Sequence, residues 1–285
     1  MMLSARVLVL VAVLSSVTEG AVTTLAGSDP KVDWAGRTMV EGSAVSFDWL
    51  GVSARVQVTG ATHVSVTVTS TAVNRGTRLK AYTSDQGFML SPQVQVWVPP
   101  ENAPASSNTS LLWTGSASAR IITLENIVDP QYGTGVTTLH SFETDGTFTA
   151  LAPAAMLGGG PKGGSRRIEF IGDSITAATN VVRPEGMSKS CGDGGYQSDW
   201  SQTYEGLLCH RFGASCSTIA VGGKCVMREC GGLQMPDYFP SLFFHDAPKA
   251  TYEFDASKWA PDAMFIGTHS ILLLPKSLPL LQLPH

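Results

Sequence analysis

The sequence predicts two unlike folding units, an antiparallel β-sandwich or jelly roll over residues 21–150 and a parallel α/β domain over residues 166–266. Three observations point there. The first half alternates apolar and polar residues with a period of two, as in Val64-Ser65-Val66-Thr67-Val68 and Val94-Gln95-Val96-Trp97-Val98. No long helical period interrupts it, and turns such as Val40-Glu41-Gly42 and Thr144-Asp145-Gly146 recur between the strands. Beyond residue 150 the order becomes strand, helix, strand, loop, strand, which suits a parallel sheet with its site at the strands' carboxyl ends.

Residues 1–20 carry Arg6, an apolar stretch from Val7 to Leu14, and small or polar residues ending at Gly20. This is a secretory signal pattern, cleaved near Gly20. The apolar stretch is shorter than the roughly 20 residues a bilayer span needs, so a secreted protein with no membrane anchor after cleavage is expected. Strands are then predicted at residues 46–50, 54–59, 64–68, 78–82, 94–98, 120–124 and 137–142. Trp34, Trp49, Trp97 and Trp113 are expected to fill the space between two sheets. A sequon, Asn108-Thr109-Ser110, falls in a polar loop. Residues 151–165, with the run Gly158-Gly159-Gly160-Pro161-Lys162-Gly163-Gly164, read as a flexible linker.

Composition bounds the rest. With 285 residues, 43% hydrophobic and 15% charged, the chain can bury a sizeable core and hold two domains. Its 19 basic and 23 acidic residues leave a net charge of −4 with no basic run, which argues against nucleic acid as a partner. All five cysteines, Cys191, Cys209, Cys216, Cys225 and Cys230, fall in the second half. In a secreted chain that favours disulfides, with one cysteine left over and no pairing chosen by the sequence. A zinc site is the competing reading, but there is no Cys-x-x-Cys pair and His210 beside Cys209 is poor ligand spacing.

In the second half, residues 168–171 form an apolar strand and residues 198–212 a helix, with Trp200, Tyr204, Leu207, Leu208 and Phe212 at helical spacing. Ser198 is the expected cap and Gly213 the stop. Strands follow at residues 217–221 and 263–266. The first strand runs straight into Gly172-Asp173-Ser174. A sharp strand-to-helix turn would expose the Ser174 hydroxyl beside backbone N–H groups able to hold an oxyanion, which makes Ser174 a candidate nucleophile. The bland reading is that Ser174 only caps the following helix. Asp173 is expected to support the turn rather than act as a triad acid, and His63, His140, His210 and His245 to be structural or solvated.

Gly172-Asp173-Ser174-Ile175-Thr176 resembles the first block of the SGNH (GDSL-type) hydrolases, and together with the β-rich half it resembles carbohydrate esterase family two. Ala220-Val221-Gly222-Gly223-Lys224-Cys225 resembles the second block, and Trp259-Ala260-Pro261-Asp262-Ala263-Met264-Phe265-Ile266 the strand leading into the third. The chain departs from the family at Gly267-Thr268-His269-Ser270, where His269 stands in place of an asparagine, and at Gly222 and Cys225 in the second block.

The resemblance implies a jelly roll followed by a flavodoxin-like SGNH hydrolase domain. That domain is expected to be incomplete, because residues 267–285 form a Leu/Pro-rich tail with Pro275, Pro279 and Pro284 and without an Asp-x-x-His block. Residues 168–285 also fall short of the on the order of 150 residues that five βα units need. The implied function is a secreted serine esterase that removes acetyl groups from xylan-like polysaccharides or oligosaccharides, with no cofactor. Ser174 would be the nucleophile, and the Ser174 and Gly223 N–H groups would hold the oxyanion. Without the histidine block the chain is expected to be a poor catalyst, His269 being its one substitute base. The alternatives are a non-catalytic carbohydrate-binding or wall-associated protein with a relic hydrolase domain, and a disulfide-linked structural protein.

Overall fold

The computed structural model describes residues 21–72, 76–83, 93–99, 101, 109–115, 119–132, 135–151, 166–179, 181–182, 197–224, 233–245, 254–255, 260–267 and 271–275. The signal segment, Asn108, the Gly-rich run, Cys191, Cys225, Cys230 and His269 lie outside the described residues. In chain order the strands are β1 (Thr23–Ala26), β2 (Asp33–Ala35), β3 (Met39–Glu41), β4 (Ala44–Phe47), β5 (Ser53–Thr59), β6 (His63–Ser70), β7 (Thr77–Thr83) and β8 (Val94–Val98). They continue with β9 (Thr109–Thr114), β10 (Ala119–Asn126), β11 (Thr137–Thr144), β12 (Thr147–Thr149), β13 (Arg167–Gly172), β14 (Ser215–Ala220), β15 (Ala263–Gly267) and β16 (Ile271–Pro275).

Two antiparallel sheets come from the first half. One runs β3-β4-β11-β6-β9 with β1 also on β11, the other β12-β5-β10-β7-β8 with β2 also on β5. Alternation decides which side chains turn inward. Val64, Val66, Val68, Leu139 and Phe142 of the first sheet meet Val56, Val58, Leu79, Ala81, Ile122 and Leu124 of the second in one buried cluster. Each such side chain contributes about 1.5–3 kcal/mol when fully buried. Trp49 is fully buried, and Trp34 and Trp113 pack partly against the cluster. Trp97 departs from expectation: Val96 and Val98 take the inward positions of β8, so the ring between them is 43% exposed.

At β7 the second sheet is buried on both faces. Every residue of β7 is buried. Leu79 and Ala81 point into the cluster, so Arg78, Lys80 and Tyr82 point away from it, toward the second half of the chain. There Lys80 Nζ donates to Asp199 Oδ2 at 2.5 Å and to Ser201 Oγ at 2.7 Å, and Arg78 Nη2 donates to the Ser198 carbonyl at 2.7 Å. Arg37, with no exposure, donates to Glu169 on β13 at 3.2 Å and to the carbonyls of Phe239 and Ser241. Burial lowers the Arg37 guanidinium from its ordinary value and raises the Glu169 carboxyl, while their mutual attraction opposes both shifts. Backbone joins the halves too: Thr218 N–H donates to Leu50 O at 3.3 Å, and Trp200 N–H to Ile127 O at 3.0 Å.

A smaller sheet follows, in the order β14-β13-β15-β16. Its first three strands are parallel. β16 runs antiparallel to β15. Residues 271–275, expected to be a divergent tail, thus extend the sheet: a strand reached by so short a connection can only return antiparallel to its neighbour.

The helix expected over residues 198–212 is divided. The Asp199 carboxylate, held by Lys80, caps a separate turn at Trp200–Gln202 by accepting from Ser201 N–H at 3.1 Å. Thr203 is extended (φ −81°, ψ 168°) and caps the helix Tyr204–Phe212, its Oγ1 accepting from Gly206 N–H at 3.3 Å. Ser198 is therefore not the cap. Gly213, left-handed at φ +56°, ends the helix as expected. A disulfide between Cys209 and Cys216 then ties the helix to β14 across that turn.

Candidate active site

The register of the parallel strands assembles the site. Gly172 at the end of β13 lies opposite Ala220 on β14 and Gly267 on β15. The segments that follow β13 and β14, Asp173-Ser174 and Val221-Gly222-Gly223, therefore leave the sheet at one edge. That edge is its carboxyl end, where open parallel sheets place their sites. Val221 N–H donates to Gly172 O at 3.3 Å and joins the first two. Gly172 sits where no side chain would fit: a Cβ there would lie 2.6 Å from Gly267 O and collide with Thr176 Oγ1.

Ser174 opens a compact turn over residues 174–179 rather than a regular helix. Ala177 N–H donates to Asp173 O at 2.8 Å and Thr179 N–H to Ser174 O at 3.1 Å. Asp173 is buried and its Oδ1 accepts from Ile175 N–H at 3.1 Å, the side-chain-to-backbone contact that pins such a turn. Ser174 is half-buried, and Ile175 beside it is 67% exposed. Ala178 takes a left-handed φ of +60°, which costs a non-glycine residue about 1–2 kcal/mol.

Gly223 follows β14 with φ +71°, and nothing lies within 4 Å of where its Cβ would be. A left-handed glycine beside open space lets the backbone present an N–H to a ligand, as an oxyanion donor must. Behind the turn, Tyr204 Oη lies 3.4 Å from Thr176 Oγ1, and burial pushes its phenol up to about 12. Burial also raises the neighbouring Glu205 carboxyl.

The described histidines are engaged elsewhere. His245 Nδ1 is 3.0 Å from Asp48 Oδ2, His140 Nε2 is 2.8 Å from Thr69 Oγ1, Tyr82 Oη is 3.2 Å from His210 Nδ1, and His63 Nδ1 is 3.4 Å from Asp145 Oδ1. Asp145 is held below the usual carboxylate range, chiefly by hydrogen bonds from the Thr62 side chain and backbone.

Sequence reasoning missed the residues that the first half brings to this edge. Asp129, Gln131 and Tyr132 lie just after β10, in and beside the short turn Pro130–Tyr132. Thr179 Oγ1 donates to Asp129 Oδ2 at 3.0 Å, and the Gly222 backbone amide favours the charged form of this carboxylate. Their one sequence signal was an acid placed directly after the apolar pair Ile127-Val128 and before Pro130.

No protein-family model and no curated protein matches the sequence. Solved structures do match in three dimensions. A family two carbohydrate esterase from Cellvibrio japonicus superposes with a TM-score of 0.70 at 18% identity, covering 87% of this chain and 67% of that one. The chain has the fold of the family two carbohydrate esterases. A second such esterase, from Clostridium thermocellum and solved in complex with cellohexaose, gives a TM-score of 0.62 at 22% identity, covering 83% of this chain and 65% of that one. An acetyl xylan esterase from the rumen bacterium Butyrivibrio proteoclasticus gives 0.64 at 18% identity, covering 86% and 63%. The chain thus spans about two thirds of the length of these family two esterases.

Proposed function

We propose that the protein is a secreted serine esterase of the SGNH type that hydrolyses acetyl esters of carbohydrates, its first half a jelly roll and its second a flavodoxin-like hydrolase domain. The observation that carries the reading is the shared register of Gly172 and Ala220, which brings Ser174 and Gly223 to one sheet edge. The carbohydrate esterases of similar fold support the choice of substrate class.

In this mechanism Ser174 Oγ attacks the acetyl carbonyl and the carbonyl oxygen gains negative charge. The N–H groups of Ser174 and Gly223 hold that charge. The C–O bond to the sugar breaks, the sugar oxygen takes up a proton, and water hydrolyses the acetyl-Ser174 ester to acetate. The Ser174 proton must pass to a base, and the four described histidines are committed to other partners. Solvent water takes that proton and supplies the one the sugar oxygen gains, so turnover is slow, resting on binding and the oxyanion hole.

Hydrolysis of acetylated xylo-oligosaccharides by the secreted chain, compared with Ser174→Ala, tests this. Slow acetate release that disappears in Ser174→Ala is expected, and release unchanged by that substitution overturns the reading. The same commitment of the histidines favours a second reading, a non-catalytic carbohydrate-binding protein, for which isothermal titration would show oligosaccharide binding in the absence of any acetate release.

A further inference from the structure

Among the described residues, an acid from the other half of the molecule reaches both turns of the candidate site. Asp129 is fully buried and stands after β10, yet its carboxylate accepts from two segments and is stabilised by the backbone amide of a third. Gln131, in its own turn, donates twice: backbone N–H to Oδ1 at 3.0 Å and Nε2 to Oδ2 at 2.9 Å. Thr179, last residue of the turn that Ser174 opens, donates through Oγ1 at 3.0 Å. The Gly222 amide, one residue before Gly223, belongs to the third segment and favours the charged form of the same carboxylate. Gly222 is also packed so closely against Gln131 that a Cβ there would collide with the Gln131 amide.

We infer that Asp129 is a positioning residue of the active site, by which the β-sandwich half sets the Ser174 turn and the Gly222-Gly223 turn at a fixed separation. This rests on the esterase reading for its catalytic meaning, though not for the geometry. A carboxylate is suited to the task because it accepts on both oxygens at once, and hydrogen bonds to a charged acceptor are about twice as strong as neutral ones. The consequence for chemistry follows from where the segments lead. Thr179 N–H is bonded to Ser174 O, so displacing Thr179 displaces the nucleophile's own peptide. Displacing Gly222 moves the adjoining Gly223 N–H, and misplacement of reacting groups by about 1 Å costs on the order of 100-fold in rate.

Hydrogen–deuterium exchange of the full chain, comparing wild type with Asp129→Ala and Asp129→Asn, tests the geometry without any need for turnover. Faster exchange in Asp129→Ala confined to the turns at residues 173–179 and 221–224, with Asp129→Asn intermediate because its amide accepts on one side only, is expected. Unchanged exchange at both turns overturns the inference, as does loosening spread evenly over all three sheets. Should Asp129→Ala fail to fold, Thr179→Val removes one of the donors and must loosen residues 173–179 alone. Turnover of 4-nitrophenyl acetate adds the functional half: kcat falls on the order of 10–100-fold in Asp129→Ala with KM within about twofold, and is partly restored in Asp129→Asn. A fall in KM-linked binding with kcat unchanged also overturns it. If wild type shows no Ser174-dependent turnover, the esterase reading fails while the exchange pattern still decides the role of Asp129.

Discussion

The interior of the β-sandwich and the seam between the sandwich and the parallel sheet are both fully buried, yet they are built from opposite chemistry. In the interior Val56, Val58, Val64, Val66, Leu139 and Phe142 meet with no polar partner to satisfy. At the seam, apolar contacts such as Leu50 with Phe170 and Trp200 are joined by buried charges, Arg37 with Glu169 and Lys80 with Asp199 and Ser201. Apolar burial is non-directional and tolerates substitution of similar volume. Buried charges gain little net free energy and lose heavily when one partner is removed. The interior therefore stabilises, while the charges at the seam specify how the two halves fit and so where the candidate-site edge forms.

The largest expected effect breaks the seam. Asp199→Ala leaves Lys80 buried without its carboxylate and should lower the free energy of unfolding by about 3–5 kcal/mol in urea titration, whereas replacing the pair together by Lys80→Met and Asp199→Leu should recover most of the loss. If the double replacement is as unstable as the single one, the seam is held by more than charge pairing. Leu139→Ala probes the interior and should cost about 2–5 kcal/mol through lost transfer energy and a cavity.

A third test uses pH. Burial raises the Asp129 carboxyl to about 7, with hydrogen bonds from Gln131, Thr179 and Gly222 offsetting part of the rise. Its folded value thus exceeds the unfolded one near 3.9, so the folded state binds the proton more tightly. The associated stability is fully present below about pH 4 and is lost as pH rises through about 7. Relative to Asp129→Asn, wild-type unfolding free energy should fall by on the order of 2–4 kcal/mol over that window, and a flat difference would show that Asp129 is ionised throughout. The smallest effect is at the disulfide on the seam's far side. Replacing Cys209 and Cys216 together by alanine opens a loop with a sequence separation of 7 and should cost about 2 kcal/mol.

How much of this was legible varied from strand to strand. The boundaries of β8 were read off residues 94–98 without error, and β6 ran one or two residues beyond the predicted 64–68. Both strands have one apolar face and one polar face, so period-two alternation is enough. β7 alternates in the same way, as Arg78-Leu79-Lys80-Ala81-Tyr82, and its polar face reads as solvated. It is buried instead, because Asp199 and Ser201, more than a hundred positions away, supply the acceptors that Lys80 needs. At the candidate site, the Gly172-Asp173-Ser174 turn was visible as local glycine and acid chemistry after a strand, and Gly223 through the resemblance of residues 220–225 to a family block. Asp129 was not, since nothing near it in sequence records that Thr179 and Gly222 will arrive there.

By itself the sequence determined what local physics dictates: the alternating strands, the turns between them, the left-handed stop at Gly213, and a serine in a turn after an apolar strand. Tertiary structure alone decided which cysteine joins Cys209, which side of β15 receives β16, how the polar face of β7 is covered, and which buried carboxylate Thr179 meets. The division has one physical cause. Backbone propensity and periodicity act over a few residues, whereas the partner of a buried charge or a sheet edge is set by whichever distant surface packs against it.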